Sequence, residues 1–378
     1  IGVCVAYGAD RYKALLGVLA GMLVLVPISE MVVSLMNWAM CSIFKPISFP
    51  RLELKYGIDD KYATMVVIPA LLPDEKRVKE RVENLETHYL ANNEENLYFA
   101  LAGDFKDAPN KETSGDGNII KAGLAGVEEL NHKYARKGEE IFFFFHRERK
   151  LNSKQNKWMG WERKRGALIE FNSLLLGAKN TSYKYSSSKD LPGKPIKYVI
   201  TLDADTLLPM DGAKKMIGTM AHPLNRPVID RQKRIVVDGY GLLQPRIAFD
   251  VESANKSLFS RIFTGQEGID PYACAISDVY QDLFGEGIFT GKGIYDLRVF
   301  QKVLENALPD NSILSHDLLE GSYIRAGLVT DIELIDSYPA RYNSYAARMH
   351  RWVRGDWQLL PWLGTRVTDA KGNRISNP

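Results

Sequence analysis

Residues 198–209, YVITLDADTLLP, limit the fold of this chain more than any other stretch. Tyr198, Val199, Ile200 and Leu202 form a short apolar, partly β-branched run. It is too brief for a helix and has the composition of a strand buried on both faces, the mark of a parallel sheet. Asp203 and Asp205 stand where that strand ends, separated by one small residue. A turn there brings both carboxylates to the carboxyl edge of the sheet, where open α/β folds bind ligands. Two hard oxygen donors suit Mg²⁺ or Mn²⁺, which hold few protein carboxylates and complete their shells with water and substrate phosphate. The expectation is a nucleoside-diphosphate site. A lone D-x-D triplet serves equally well as a turn or helix cap, so its surroundings have to support this reading.

Other short apolar runs, at 64–68, 97–102 and 141–145, alternate with helically spaced segments at 75–90, 119–136 and 164–177. Such alternation predicts an α/β fold with a doubly wound, mostly parallel sheet. The polar segments 107–118 and 182–195 read as surface insertions. Beyond Asp205 the pattern predicts strands over 234–244 and 329–337 and helices over 251–262, 297–304 and 341–363. Between them lies a long glycine-punctuated stretch, 265–287, of the kind that carries function in compact domains.

The start of the chain is different. Arg11 and Lys13 precede an uncharged run over 14–29, and a second follows Glu30 over 31–44, closed by Lys45 and Pro46. The first run is shorter than the roughly 20 residues of a membrane span, but the two joined are long enough. Gly17, Gly21 and an almost wholly apolar circumference favour a membrane helix over a buried core helix. A second apolar run containing Trp38 does not suit a signal peptide. Residues 1–48 are thus read as transmembrane or interfacial helices, 49–63 as a linker, and 64–378 as the α/β domain, ending in an interfacial helix. The start at Ile1 and the stop soon after a Trp-rich segment suggest a piece of a longer chain. Lys+Arg of 49 against Asp+Glu of 46 is too balanced for a nucleic-acid surface. Cys4, Cys41 and Cys274 form neither a zinc pair nor a disulfide framework, which points to a reducing compartment.

Four further clusters carry chemistry. Arg163, Lys164 and Arg165 follow Glu162 at a helix start, where the dipole disfavours cations; a bound diphosphate would reverse that, and a solvated basic turn is the plain alternative. Gly291-Lys292-Gly293 is not a P-loop, because Glu286 and Gly293 stand where that loop needs Gly and Ser or Thr. Its glycines instead allow the backbone close to a sugar or acceptor. Asp317, after His316, is either a helix-start acid or a general base for an attacking hydroxyl. Arg348, His350, Arg351, Trp352, Arg354 and Trp357 crowd one helix; arginines suit pyrophosphate oxygens and tryptophans suit sugar faces.

In this order and spacing, ERKRG (162–166), TLDADT (201–206), FTGKGIYD (289–296), SHDLLEG (315–321) and RMHRWVRGDWQ (348–358) resemble the glycosyltransferase domain of cyclic β-1,2-glucan synthases. That domain is itself similar to the membrane-embedded processive GT-A transferases typified by cellulose synthase. The resemblance covers roughly residues 64–363 and implies a GT-A-like fold. It further implies Asp104 at the nucleotide, Lys164 and Arg165 at the diphosphate, Asp203 and Asp205 at the metal and nucleotide, and Asp317 as base. Arg351 would meet the pyrophosphate and Trp352 the acceptor sugar, with Lys292 also on the acceptor side. The cellulose synthase Q-x-x-R-W motif begins here with Arg348, and His316 replaces the acid usual before the catalytic Asp, which leaves His316 open as a participant in proton transfer. The implied activity is inverting transfer of glucose from UDP-glucose to a growing β-glucan. A bacterial inner-membrane location is implied too, with the domain facing the cytoplasm, contact with membrane lipid, and further domains of the same chain. A membrane-anchored glucan-binding module and a two-carboxylate glycosidase remain as competing classes, though a glycosidase has no need of the basic ERKRG segment.

Overall fold

The computed structural model describes residues 11–43, 47–134, 139–188, 192–264 and 278–377. Cys4, Cys274, Lys45, Pro46 and most of the 265–287 stretch lie outside the described residues. The chain divides into two units, Ile1–Ile47 with Ser277–Gly285, and Ser48–Ile276 with Glu286–Pro378.

In the first unit Arg11–Ile43 is one continuous helix. The two uncharged runs are therefore not separate helices: Glu30 is a good helix former and passes through the middle. Leu15–Met40 has a mean hydropathy of 2.2 and is unburied, so by length and composition it can cross a membrane. At the end of this unit Ile47 N donates to Asp282 Oδ1 at 2.8 Å, beside the short helix Val279–Phe284.

The strands of the second unit are β1 (Thr64–Leu71), β2 (Leu97–Asp104), β3 (Phe142–Arg147), β4 (Lys150–Asn152), β5 (Lys157–Met159), β6 (Tyr183–Ser186), β7 (Tyr198–Thr201), β8 (Val228–Asp230), β9 (Ile235–Asp238), β10 (Leu242–Phe249), β11 (Gly293–Asp296), β12 (Ala326–Asp336), β13 (Arg366–Thr368) and β14 (Arg374–Ser376). Eight of them form one sheet in the order β12-β10-β11-β7-β1-β2-β3-β6. β7, β1, β2 and β3 run parallel, as do β10 and β12; β11 is antiparallel to both its neighbours and β6 to β3. The expected mostly parallel α/β sheet is therefore what the chain forms.

Alternation along β3 shows how the layers arise. Phe142 and Phe144 pack on one face with Val82, Leu85 and Val127 from the helices Glu75–Ala91 and Asp116–Tyr134. Phe143 and Phe145 pack on the other with Leu168 and Phe171 from the helix Arg163–Leu175. A run of four phenylalanines is thus an interior strand buried on both sides, as a doubly wound sheet requires.

Several elements differ from their sequence expectation. β1 runs through Pro69, which pairs with Ala102 of β2 beyond the last residue of β1 that meets β7, so the missing N–H leaves no ladder bond unmade. The expected strand over 234–244 is broken into β9 and β10 at Gly239, whose φ is +62°. Within the 182–195 insertion, Tyr183–Ser186 is a strand, β6. The helix over 251–262 is two short helices, Val251–Asn255 and Leu258–Phe263, the second capped by Ser257. The helix Tyr342–Trp357 stops before Pro361, and Leu360–Leu363 follows as a 3₁₀ turn. Residues 49–63 are docked rather than free: Phe49, Leu52 and Leu54 pack on the core, Ile58 is buried, and Leu52 N donates to Gly218 O at 3.0 Å.

The loop after Asp205 is tied to the helix Glu75–Ala91. His88 Nδ1 accepts from Leu208 N at 3.4 Å, while Asn92 donates to Pro209 O at 3.1 Å and accepts from Ala213 N at 3.0 Å. Burial pushes the His88 imidazole down to about 4. The unfolded chain therefore takes up this proton before the folded one, and stability contributed by neutral His88 is lost as pH falls from about 6.5 towards 4. Unfolding free energies from urea denaturation between pH 7 and 4.5 should fall less steeply in His88→Gln than in the parent, by at most roughly 1.4 kcal/mol per pH unit. Identical slopes would contradict a neutral buried histidine.

Candidate active site

Asp203 leaves the end of β7 and is met by two lysines from different parts of the chain. Lys164 Nζ donates to its Oδ1 at 2.5 Å and to Gly291 O at 2.8 Å. Lys292 Nζ stands 3.3 Å from Oδ2 and also pairs with Asp336 at the end of β12. Thr206 Oγ1 donates to the other oxygen of Asp336 at 2.6 Å. Arg81 donates to Ala204 O, which fixes the turn between the two acids. Burial opposes ionisation of Asp203, but the Lys164 and Lys292 charges outweigh it and hold the carboxyl far below the usual range. Burial likewise disfavours both ammonium groups; Asp203 and Asp317 raise Lys164, and Asp203 and Asp336 raise Lys292.

The helix start at Arg163 shows how three adjacent cations are tolerated. Glu162 and Arg163 both have φ of 50°, and a Cβ on Gly166 would lie 1.9 Å from Trp161 O. This tight entry sends each cation to its own acid: Arg163 to Asp107 at 2.9 Å, Lys164 to Asp203, and Arg165 to Glu162 at 2.8 Å. Each of the three cations at this helix start is thus answered by a carboxylate. Arg165 is buried, bonds Leu308 O as well, and is not among the side chains gathered at Asp203.

Asp317 opens the helix His316–Ile324 and stands against Gly291, where a Cβ would lie 2.9 Å from its Oδ2. Gly291 is thus needed both for its φ of +86° and for room beside the acid. Asp205 is more open, with Arg348 Nη2 at 3.7 Å. It lines a cavity of about 400 Å³ with Tyr338, Ser344, Arg348 and Arg351. Trp352, next along the helix, is half-buried. Asp104 reaches the same sheet edge, but Arg147 grips it through Nε at 2.7 Å and Nη2 at 2.5 Å. Asp203 faces two lysines and Asp205 faces Arg348, so a divalent ion at either carboxylate would compete with cations already in place.

No protein-family model matches the chain. A curated relative is the cyclic beta-(1,2)-glucan synthase NdvB of Rhizobium meliloti (strain 1021), 44% identical over 338 residues. The chain is homologous to part of a cyclic β-(1,2)-glucan synthase. The match takes in 89% of this chain and 12% of NdvB, so the chain spans about an eighth of its relative. Among solved structures, the galactosyltransferase LgtC in complex with donor and acceptor sugar analogs aligns over 78% of this chain and 95% of its own, at 10% identity and a TM-score of 0.34. That likeness is too slight to carry an argument. The homology to NdvB agrees with the glucan synthase resemblance of the five motifs.

The structure therefore gathers Lys164, Asp203, Lys292 and Asp317, and places Asp205 with Arg348 and Arg351. Lys292 sits between two carboxylates. Sequence reasoning missed Asp336, Thr206 and Arg147. Asp336 carries the signal that marked Asp203, an acid at the end of an apolar strand, but without a second acid beside it. Because Lys292 and Asp336 are both nearly enclosed, removing one charge strands the other. Lys292→Met should lower unfolding stability by roughly 3–5 kcal/mol, and adding Asp336→Asn should restore part of it. Chemical denaturation of the two variants checks this; a double variant less stable than Lys292→Met would contradict the pairing.

Proposed function

We propose that this chain is a glucosyltransferase domain that moves glucose, with inversion, from UDP-glucose to a hydroxyl of a growing β-1,2-glucan. The observation that carries the reading is the lysine-clamped Asp203 at the carboxyl edge of the sheet, with Asp317 separated from it by only the Gly291 turn. Such an edge is where α/β folds bind nucleotides, and paired ammonium groups suit a diphosphate. Asp317 takes the proton of the acceptor hydroxyl as the acceptor oxygen bonds to the glucosyl carbon and the bond to UDP breaks. Lys164, and Arg348 with Arg351 across the Asp205 cavity, stabilise the charge that builds on the departing diphosphate. Mg²⁺ or Mn²⁺, held by Asp203 and Asp205, would add a Lewis acid for the same charge. Such an ion arriving with a diphosphate fits this donor set, because the phosphate oxygens compensate the lysines that Asp203 releases.

Trp352 covers the acceptor sugar, and Asp104 and Arg165, held in their ion pairs, frame the nucleotide side. The Arg11–Ile43 helix anchors the domain in lipid of a bacterial inner membrane, with the domain on the cytoplasmic side. Further domains of the full-length chain work on the glucan.

Asp317→Asn should keep UDP-glucose affinity and lower turnover by roughly 10²–10⁴-fold, the usual contribution of a positioned base. UDP release from UDP-glucose, with and without EDTA, is the assay. Release abolished by EDTA and by Asp317→Asn supports the reading; a protein that cleaves glucan while ignoring both UDP-glucose and EDTA is a glycosidase instead, and one that releases no UDP is a binding module.

A further inference from the structure

The helix that carries Asp317 holds two groups to which the proposed reaction gives no role. His316 is nearly enclosed, and Glu320, one turn on, has a side chain only 2% exposed. His316 Nδ1 lies 3.2 Å from Asp317 Oδ1 and 3.1 Å from Glu320 Oε1. Neither contact has hydrogen-bond angles, so charge is what holds the ring between them. Without a proton, Nδ1 would set its lone pair against two carboxylates in a site with little water. A buried carboxylate such as Glu320 is also costly unless a cation answers it.

Other elements packed on this cluster bring their own groups. Lys164, from the helix Arg163–Leu175, repels an imidazolium, and Tyr295 of β11 lies close enough to feel Glu320 while its hydroxyl donates to Asn172 Oδ1 at 2.9 Å. Burial and Lys164 work against protonation of His316, yet Asp317 and Glu320 together raise it above its ordinary value. The two oxygens of Asp317 are therefore not equivalent. Both stand close to Gly291, where a Cβ would lie 2.9 Å from Oδ2 and 3.0 Å from Oδ1, but Oδ1 is enclosed without a hydrogen-bond partner and lies against the imidazole, whereas Oδ2 is not enclosed.

We propose that His316 and Glu320 are positioning residues: an imidazolium neutralised by the buried Glu320 anchors Oδ1 of Asp317 and leaves Oδ2 to receive the acceptor's proton. The proton leaves the acceptor hydroxyl for Oδ2 while the acceptor oxygen bonds to the glucosyl carbon and UDP departs; His316 and Glu320 keep their charges throughout. The device rests on the reading of Asp317 as the base. It works only while His316 is protonated, so turnover falls on the alkaline side.

The test is the pH profile of kcat for glucan synthesis by the intact protein, with UDP affinity measured alongside. Glu320→Gln should move the alkaline limb about 1–3 pH units lower, the usual effect of removing an opposite charge at this range, and leave UDP affinity unchanged. His316→Asn should lower kcat at all pH values and abolish the limb. In ¹³C-histidine NMR of the parent protein, the resonance missing from His316→Asn should titrate above 6.5, a readout that holds even if Glu320→Gln fails to fold. An unmoved limb in Glu320→Gln, or a His316 that titrates at or below 6.5, overturns the proposal. If Asp317→Asn abolishes turnover while the Glu320→Gln limb stays put, this inference alone fails; if Asp317→Asn retains turnover, the base assignment fails with it.

Discussion

The ion cluster around Asp203 is the interaction on which the rest of the site depends. One carboxylate receives ammonium groups from Lys164, at a helix start 39 residues earlier, and from Lys292, in the turn before β11. Lys292 carries the connection on to Asp336 and so to Thr206. Three strand ends, of β7, β11 and β12, and a helix are thereby fixed around a point where Lys292 and Asp336 are nearly enclosed. Buried charges of this kind are held only because each is answered. A diphosphate entering such a site meets ammonium groups already gathered and partly stripped of water, which is the preorganisation that transfer chemistry requires.

Close backbone approaches set the distances within this cluster. Gly291 admits Asp317, and Gly166 admits the turn of Trp161 that aims Lys164. A third operates at Gly355, where a Cβ would lie 2.0 Å from Ser315 Oγ, and nearby Gln358 Oε1 accepts from Leu314 N at 2.8 Å. The helix that carries Arg348 and Arg351 is thus mounted directly on the turn that begins the helix of Asp317. Asp317 and the two arginines share one support, so a shift of either element is felt by both. Steric fit, more than any single hydrogen bond, keeps them in register.

Much of this was legible from residue pattern. Strand β7 with its terminal acids, the phenylalanine run of β3 and the helix at Glu75–Ala91 each obey one local rule, and their tertiary roles follow from it. Asp203, Asp317 and Lys164 stand at element ends, and Arg351 lies in a helix crowded with cations, so each carries a local signal. The rest depends on pairings across the chain that no local pattern encodes. Arg165 has the same composition around it as Lys164, yet the roughly 100° between neighbours on a helix sends it to Glu162 and Asp310. The glycines around Lys292 are visible in the sequence, whereas its pairing with Asp336, 44 residues away, is not. Asp104 gave no sign that Arg147 would grip it, and the apolar residues of 49–63 were outvoted by their charged neighbours.

The most direct test of the account is a cryo-EM structure of the intact protein with UDP bound. The account predicts the diphosphate at the end of β7, with Lys164 withdrawn from Asp203 to a phosphate oxygen, Arg351 turned into the Asp205 cavity, and Asp317 still seated against Gly291. UDP bound away from Asp203, with Lys164 and Lys292 still closed on that carboxylate, would contradict it.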